Sequence, residues 1–146
     1  MTANVLNYFE QAGSGTDNKL IIGGSLETSG GQSIKKIYLT TAIADISTAG
    51  QIYVVSPVAG TISKIYSVIN GAIATANSIL TPKIAGTAIT SGAITVAFSG
   101  SAAGDVDSST PSALNTITAG AAIEIETDGA SSNTVEVVIT IEITLS

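Results

Sequence analysis

Four stretches of this chain place chemically capable residues at suggestive spacings. Asp105-Val106-Asp107-Ser108-Ser109 sets side-chain oxygens at alternate positions, as a calcium loop begins. A loop of EF-hand type then needs glycine at its sixth position and a bidentate glutamate at its twelfth. Neither follows, so the stretch reads as a solvated loop, with ion binding by Asp105 and Asp107 left open. Ser33-Ile34-Lys35-Lys36 matches the Ser-x-x-Lys nucleophile motif of penicillin-binding enzymes, but no Ser-Asp-Asn or Lys-Thr-Gly accompanies it and the match is one of chance. Gly13-Ser14-Gly15-Thr16-Asp17-Asn18-Lys19 is glycine-rich like a phosphate loop, yet it lacks the Gly-Lys-Ser/Thr ending and no helical pattern follows to supply a dipole. It reads as a flexible tip. Glu124, Glu126, Glu136 and Glu142 could stand at glycosidase separation on facing strands. They alternate with apolar residues, so they read instead as the wet face of a hairpin, and the aromatic platforms of a sugar site are missing.

The rest of the composition removes most catalytic apparatus. The chain has no histidine and no cysteine, hence no Ser-His-Asp or Cys-His pair, no imidazole base and no zinc site of the usual kind. No enzyme activity, cofactor or metal is expected. The five cations are all lysines against eleven acids, for a net charge of -6. An acidic chain without arginine repels phosphate backbones and lacks bidentate guanine contacts, so nucleic acid is not an expected partner. Without disulfides, stability must come from packing, ladder hydrogen bonds or association. Charged residues are only 11% of the 146 positions, against about 25% in an ordinary soluble domain.

What would position such residues is a β framework. From residue 37 onward Ile, Val and Thr are abundant and Gly, Pro or Asn recur at short intervals. Val135, Val137, Ile139, Ile141, Ile143 and Leu145 alternate with more polar neighbours, a strand with one buried face. Ala121, Ile123 and Ile125 alternate likewise, and residues 128–133 between them read as a turn, so the two strands are expected to form an antiparallel hairpin. Further strands are expected at 36–41, 51–55, 60–69, 78–84 and 93–99. Pro82 implies an edge position or a bulge. Residues 60–69 also fit helical spacing, but β-branched density favours a strand. Residues 72–76 could form a turn of helix, and 99–112 look like one long exposed loop. The expected fold is all-β: an antiparallel β-sandwich or jelly-roll-like domain, residues 37–146, preceded by an extended N-terminal arm, residues 1–36.

Residues 84–104 carry no charge and are long enough to suggest a membrane span, as nearly are 46–63 and 65–82, but all are crowded with Gly, Ser, Thr, Ala and Asn, which disfavour insertion. Six aromatics without tryptophan cannot supply the two girdles of an outer-membrane barrel. No membrane partner is expected. The opening residues show neither a basic n-region nor an apolar h-region, so no cleavable leader is visible.

Large aromatics are scarce, yet Tyr8 and Phe9 sit side by side in a segment too short to form its own core. They read equally as an anchor on a partner or as a strap against the sandwich. The stretch Asn7-Tyr8-Phe9-Glu10-Gln11-Ala12-Gly13, followed by Leu20-Ile21-Ile22-Gly23-Gly24-Ser25-Leu26-Glu27, resembles the opening of head fiber and head decoration proteins of tailed bacteriophages. Those begin with Tyr-x-Glu-Gln-Gly-Gly, then an apolar pair, Gly-Gly and a Leu-Glu strand. Ala12 replaces the first glycine here, and residues 14–18 look like an insertion. The stretches 53–62, 101–105 and 120–123 are also similar to small β-rich phage virion proteins. The resemblance implies a cement protein on the outer capsid surface, made in the host cytoplasm and generally a homotrimer. Its arm would bind the major capsid protein through Tyr8, Phe9, Glu10, Gln11, Leu20, Ile21 and Ile22. Texture alone also suits a pilus-type or cell-surface structural subunit, or a glycan-binding fiber domain whose loops, such as 99–112, touch host polysaccharide.

Overall fold

The computed structural model describes residues 27–28, 32–33 and 35–146, and the chain divides into two units between Lys35 and Lys36. In the first, β1 (Glu27–Thr28) pairs antiparallel with β2 (Gln32–Ser33). The second is all β among its described residues. It holds β3 (Lys36–Ile43), β4 (Gly50–Val55), β5 (Gly60–Ile69), β6 (Ser78–Ile84), β7 (Thr87–Ala88), β8 (Ile94–Val96), β9 (Val106–Ser109), β10 (Thr116–Ile117), β11 (Ala122–Thr127) and β12 (Val137–Leu145).

These strands form two antiparallel sheets in a sandwich. The first runs β3, β12, β5, with β9 and β10 sharing the far edge of β5; the second runs β4, β11, β6, with β7 and β8 along the far edge of β6. Period-2 alternation decides which side of each strand is buried. On β12, Val137, Ile139, Ile141 and Ile143 are wholly buried; on β11, Ile123 and Ile125 are; on β5, Ile62, Ile65 and Ile69 are. The core is almost entirely isoleucine, with Leu80 and a few valines and no aromatic. Each fully buried Ile contributes roughly 1.5–3 kcal/mol, and its branched Cβ suits a pleated surface.

The expected hairpin of residues 121–145 does not form. β11 lies in the second sheet between β4 and β6, while β12 lies in the first between β3 and β5. The segment 128–136 is therefore a crossover between sheets. It is held by Asp128, whose Oδ1 accepts from the Ile79 amide at 3.0 Å, and by Gly129, whose φ is +67°. A Cβ on Gly129 would collide with the Ala49 backbone.

Three other expectations change. Residues 99–112 contain β9, which pairs with β5 from Ile65↔Ser109 to Val68↔Val106. Residues 72–76 form no helical turn: the Ala76 amide bonds the Ala74 carbonyl around Thr75 at φ 76°, a γ-turn. Pro82 is not on an edge strand, since β6 lies between β11 and the pair β7 and β8; it sits at a local gap in the ladder. It pairs in register with Ile125, and its carbonyl, which points to the outer side, accepts from the Ile89 amide where β7 and β8 leave a gap in the ladder.

Loops close the sandwich at its sides. Ile46, wholly buried between β3 and β4, bonds Val135 through its amide and accepts from Ser78 and Thr127 hydroxyls through its carbonyl. On the other side the Ser109 hydroxyl donates to the Gly92 carbonyl at 2.7 Å, and Thr90 bridges Ala113. Gly60 admits the close approach of β12: a Cβ there would meet the Thr144 carbonyl oxygen. No helix among the described residues is long and apolar enough to cross a membrane.

Candidate interaction surface

Registers of the first sheet order its outward side chains into cross-strand rows. One row is apolar across four strands: Ala42, Val138, Val68 and Val106. The next carries only hydroxyls: Thr40, Thr140, Tyr66 and Ser108. The third sets Tyr38, Glu142 and Lys64 side by side. The apolar row is open to solvent at its ends, with Val106 63% exposed.

Glu142 organises the third row. It stands outward on the central strand β12, yet it is buried, because neighbours on both sides fold over it. From β3, Lys36 Nζ donates to Oε1 at 2.8 Å and Tyr38 Oη to Oε2 at 3.1 Å; from β5, Ser63 Oγ donates to Oε1 at 2.6 Å. Ser63 can reach because the β5–β12 register shifts between Glu142 and Ile143, a bulge that sets two β5 residues opposite one glutamate. The Lys36 ammonium, with Ser63 and Tyr38, holds the Glu142 carboxyl below its ordinary value; the same contact raises Lys36, and the Glu142 carboxylate raises Tyr38. Such a carboxylate stays ionised and is a poor general base. Lys64, directly across from Glu142, makes no ion pair among the described residues, and its ammonium lies 4.9 Å from the centre of the Tyr66 ring.

The outward face of the second sheet has the opposite balance. Lys83 on β6 is shared by Glu124, at 3.8 Å, and Glu126, both on β11, and Glu126 raises its pKa. Tyr53 and Val55 on the edge strand β4 are exposed beside them. A cleft of about 190 Å³ opens between Val96, Gly100, Ser101 and Val106. Asp105 and Asp107 border it, but Asp105 Oδ2 accepts from the Ala102 amide at 2.7 Å, which turns its carboxylate to closing its own loop. No group of three acidic residues that could hold a metal ion occurs among the described residues.

The residues expected from the sequence to bind a partner, Tyr8, Phe9, Glu10, Gln11, Leu20, Ile21 and Ile22, lie outside the described residues, as does the glycine-rich stretch 13–19. The four glutamates do face outward but on different sheets: Glu124 and Glu126 on one, Glu142 on the other, with Glu136 accepting from the Asn70 side chain. Sequence reasoning missed Lys36, Tyr38, Lys64 and Tyr66 as a group. The signal was there: the tripeptide Lys-Ile-Tyr occurs at 36–38 and again at 64–66. Each copy puts lysine and tyrosine on one face of a strand, and the two strands flank Glu142.

No family model and no curated protein matches the chain. Among solved structures, it is similar to a chain of the cyanophage Pam1 capsid asymmetric unit, with a TM-score of 0.50 and 21% identity over 77% of this chain and 84% of that one. It is also similar to a chain of the acid-stable capsid of Helicobacter pylori bacteriophage KHP30, with a TM-score of 0.51 and 14% identity over 77% of this chain and 89% of that one. What these likenesses establish is a shared β-sandwich fold.

Proposed function

We propose that this chain is a structural protein of a tailed-phage virion that decorates the outer capsid surface and stabilises the shell by binding the major capsid protein. The observation that carries the reading is the fold likeness to chains of two phage capsid structures, over most of each chain. The resemblance of residues 7–13 and 20–27 to head fiber and decoration proteins supports the finer role. A cement protein acts by binding the expanded shell at junctions between capsomers, so that strain from packaged DNA is shared. Individually weak arm contacts become strong when copies joined as a trimer engage together.

The test is co-sedimentation with expanded capsids of the source phage. Full-length protein is expected to bind saturably, residues 37–146 not at all, and the Tyr8→Ala/Phe9→Ala chain weakly with an unchanged melting temperature. Absence of binding by the full-length chain overturns the capsid reading. Tight binding by residues 37–146 overturns the role of the arm, and a large fall in melting temperature for the double variant makes Tyr8 and Phe9 a strap on the sandwich instead.

A further inference from the structure

We infer that the outward face of the first sheet is a self-complementary docking surface for the same face of a second copy. The three rows carry the inference. A two-fold axis running along the strands between β5 and β12 keeps every row opposite itself, while exchanging β5 with β12 and β3 with β9. In the apolar row Val68 then meets Val138 of the second copy, and Ala42 meets Val106 of the second copy. In the hydroxyl row Tyr66 meets Thr140 of the second copy. In the third, Lys64 meets Glu142 of the second copy, twice over by symmetry. Among the described residues Lys64 has no carboxylate partner and Glu142 Oε2 accepts from Tyr38 alone, and the Glu142 side chain keeps 10% of its surface open for another donor.

Other pairings of the face fit worse. An axis along the rows reverses their order: placed on the hydroxyl row it lays the apolar row against the charged one, and placed on the apolar row it sets valine on valine but carries Lys64 and Glu142 of the two copies to opposite ends of the face. Stacking it on the outward face of the second sheet matches lysine to glutamate, but opposite faces of a sandwich point in opposite directions, so that contact would not close and would build a filament. Aligned face-to-face packing of sheets about 10 Å apart is ordinary geometry for such strands. At about 4.8 Å between strands and 3.3 Å per residue, β5 and β12 overlapping over about nine residues and β3 and the four-residue β9 over about four offer a footprint of roughly 400 Å² per copy, or about 800 Å² in total. That is below the roughly 1,000 Å² expected of a stable specific interface, so the pairing is weak and concentration-dependent. In a trimer it would join one trimer to the next.

Sedimentation equilibrium of the full chain from ~1 μM to ~1 mM, the range expected for so small an interface, tests this. The mass of the wild type should double with concentration. Lys64→Glu, which sets acid against acid, and Val68→Lys should each weaken association about tenfold or more, while Thr95→Lys on the other sheet leaves it unchanged. Melting of each variant at low concentration identifies any that fail to fold; should Val68→Lys do so, Lys64→Glu decides alone. A mass that stays constant across the range overturns the inference, and so does an association that Lys64→Glu leaves intact.

Discussion

Replacing Glu142 by glutamine should destabilise the protein at neutral pH and leave it unaffected in acid. Glutamine keeps the shape, but Lys36, Tyr38 and Ser63 then face a neutral amide whose nitrogen is itself a donor. Hydrogen bonds to a charged group contribute about 1.5–3 kcal/mol each. They do not add here, because the Lys36 side chain is 49% exposed and regains water when released. A loss of about 1–2 kcal/mol is expected, a sizeable share of a domain's usual ~5–15 kcal/mol. Since the folded pKa of Glu142 lies below its ordinary 4.5, this contribution is complete above that value and is lost as pH falls through the folded one. Lys36 runs the other way: raised above 10.5 in the folded state, its contribution is complete below that value and fades as pH rises through the folded one. The gap between wild type and Glu142→Gln should therefore be flat from about pH 5 to about pH 10 and close at either end. Urea unfolding followed by circular dichroism at steps of pH reads it directly. Equal stability at pH 7, or a gap undiminished near pH 2, would refute the cluster as a clamp on edge strand β3.

Three further substitutions test the frame that carries the face. Gly60→Ala should lower stability by about 1–3 kcal/mol, although alanine ordinarily gains over glycine within a strand, because the new Cβ would meet the Thr144 carbonyl oxygen and lie 2.8 Å from Ile143 Cγ2; a raised urea midpoint would contradict the close approach. Ile46→Ala should cost about 2–5 kcal/mol if the wholly buried side chain fills a site that cannot collapse, and a loss under about 1 kcal/mol in the same titration would show a pliable loop. Gly129→Ala should cost more than Gly86→Ala by thermal melting: both glycines have positive φ, for which alanine pays about 1–2 kcal/mol, but only Gly129 faces a backbone collision, whereas Gly86 stands in open space.

Local patterning made most strands legible, because burial of one face imposes a period that needs no knowledge of partners. Residues 60–69 and 78–84 carry their own boundaries in Gly60, Asn70 and the serine at 78, and they fold as β5 and β6 over those spans. Partner choice is another matter. The alternations of β11 and β12 say that each has a buried face, and both faces do look into the same core, but nothing in the pattern says from which side. The hint lay in the connection: two-residue primed turns favour a hairpin, whereas 128–136 is long enough to cross between sheets. β9 escaped because Val106 is its one bulky apolar residue and points outward; its place is set by the ladder to β5 and by Ser109 reaching Gly92.

The interaction surface was hidden for a related reason. A row across a sheet gathers residues 42, 68, 106 and 138, or 38, 64 and 142, whose separation in sequence is arbitrary until the register is known. A charged fraction of 11% means that much of the sandwich surface carries no charge, without saying where. The register answers that the charges on this face are concentrated in rows around Glu142, while the row from Ala42 to Val106 has none. The repeated Lys-Ile-Tyr tripeptide was the one trace of this order visible in the chain itself. It acquires meaning only because β3 and β5, both antiparallel to β12, run parallel to each other and offset the two copies by two residues: Tyr38 and Lys64 stand level with the same glutamate. The offset leaves Lys36 bound to Glu142 and Lys64 without an ion pair among the described residues, which is what the proposed pairing with a second copy uses.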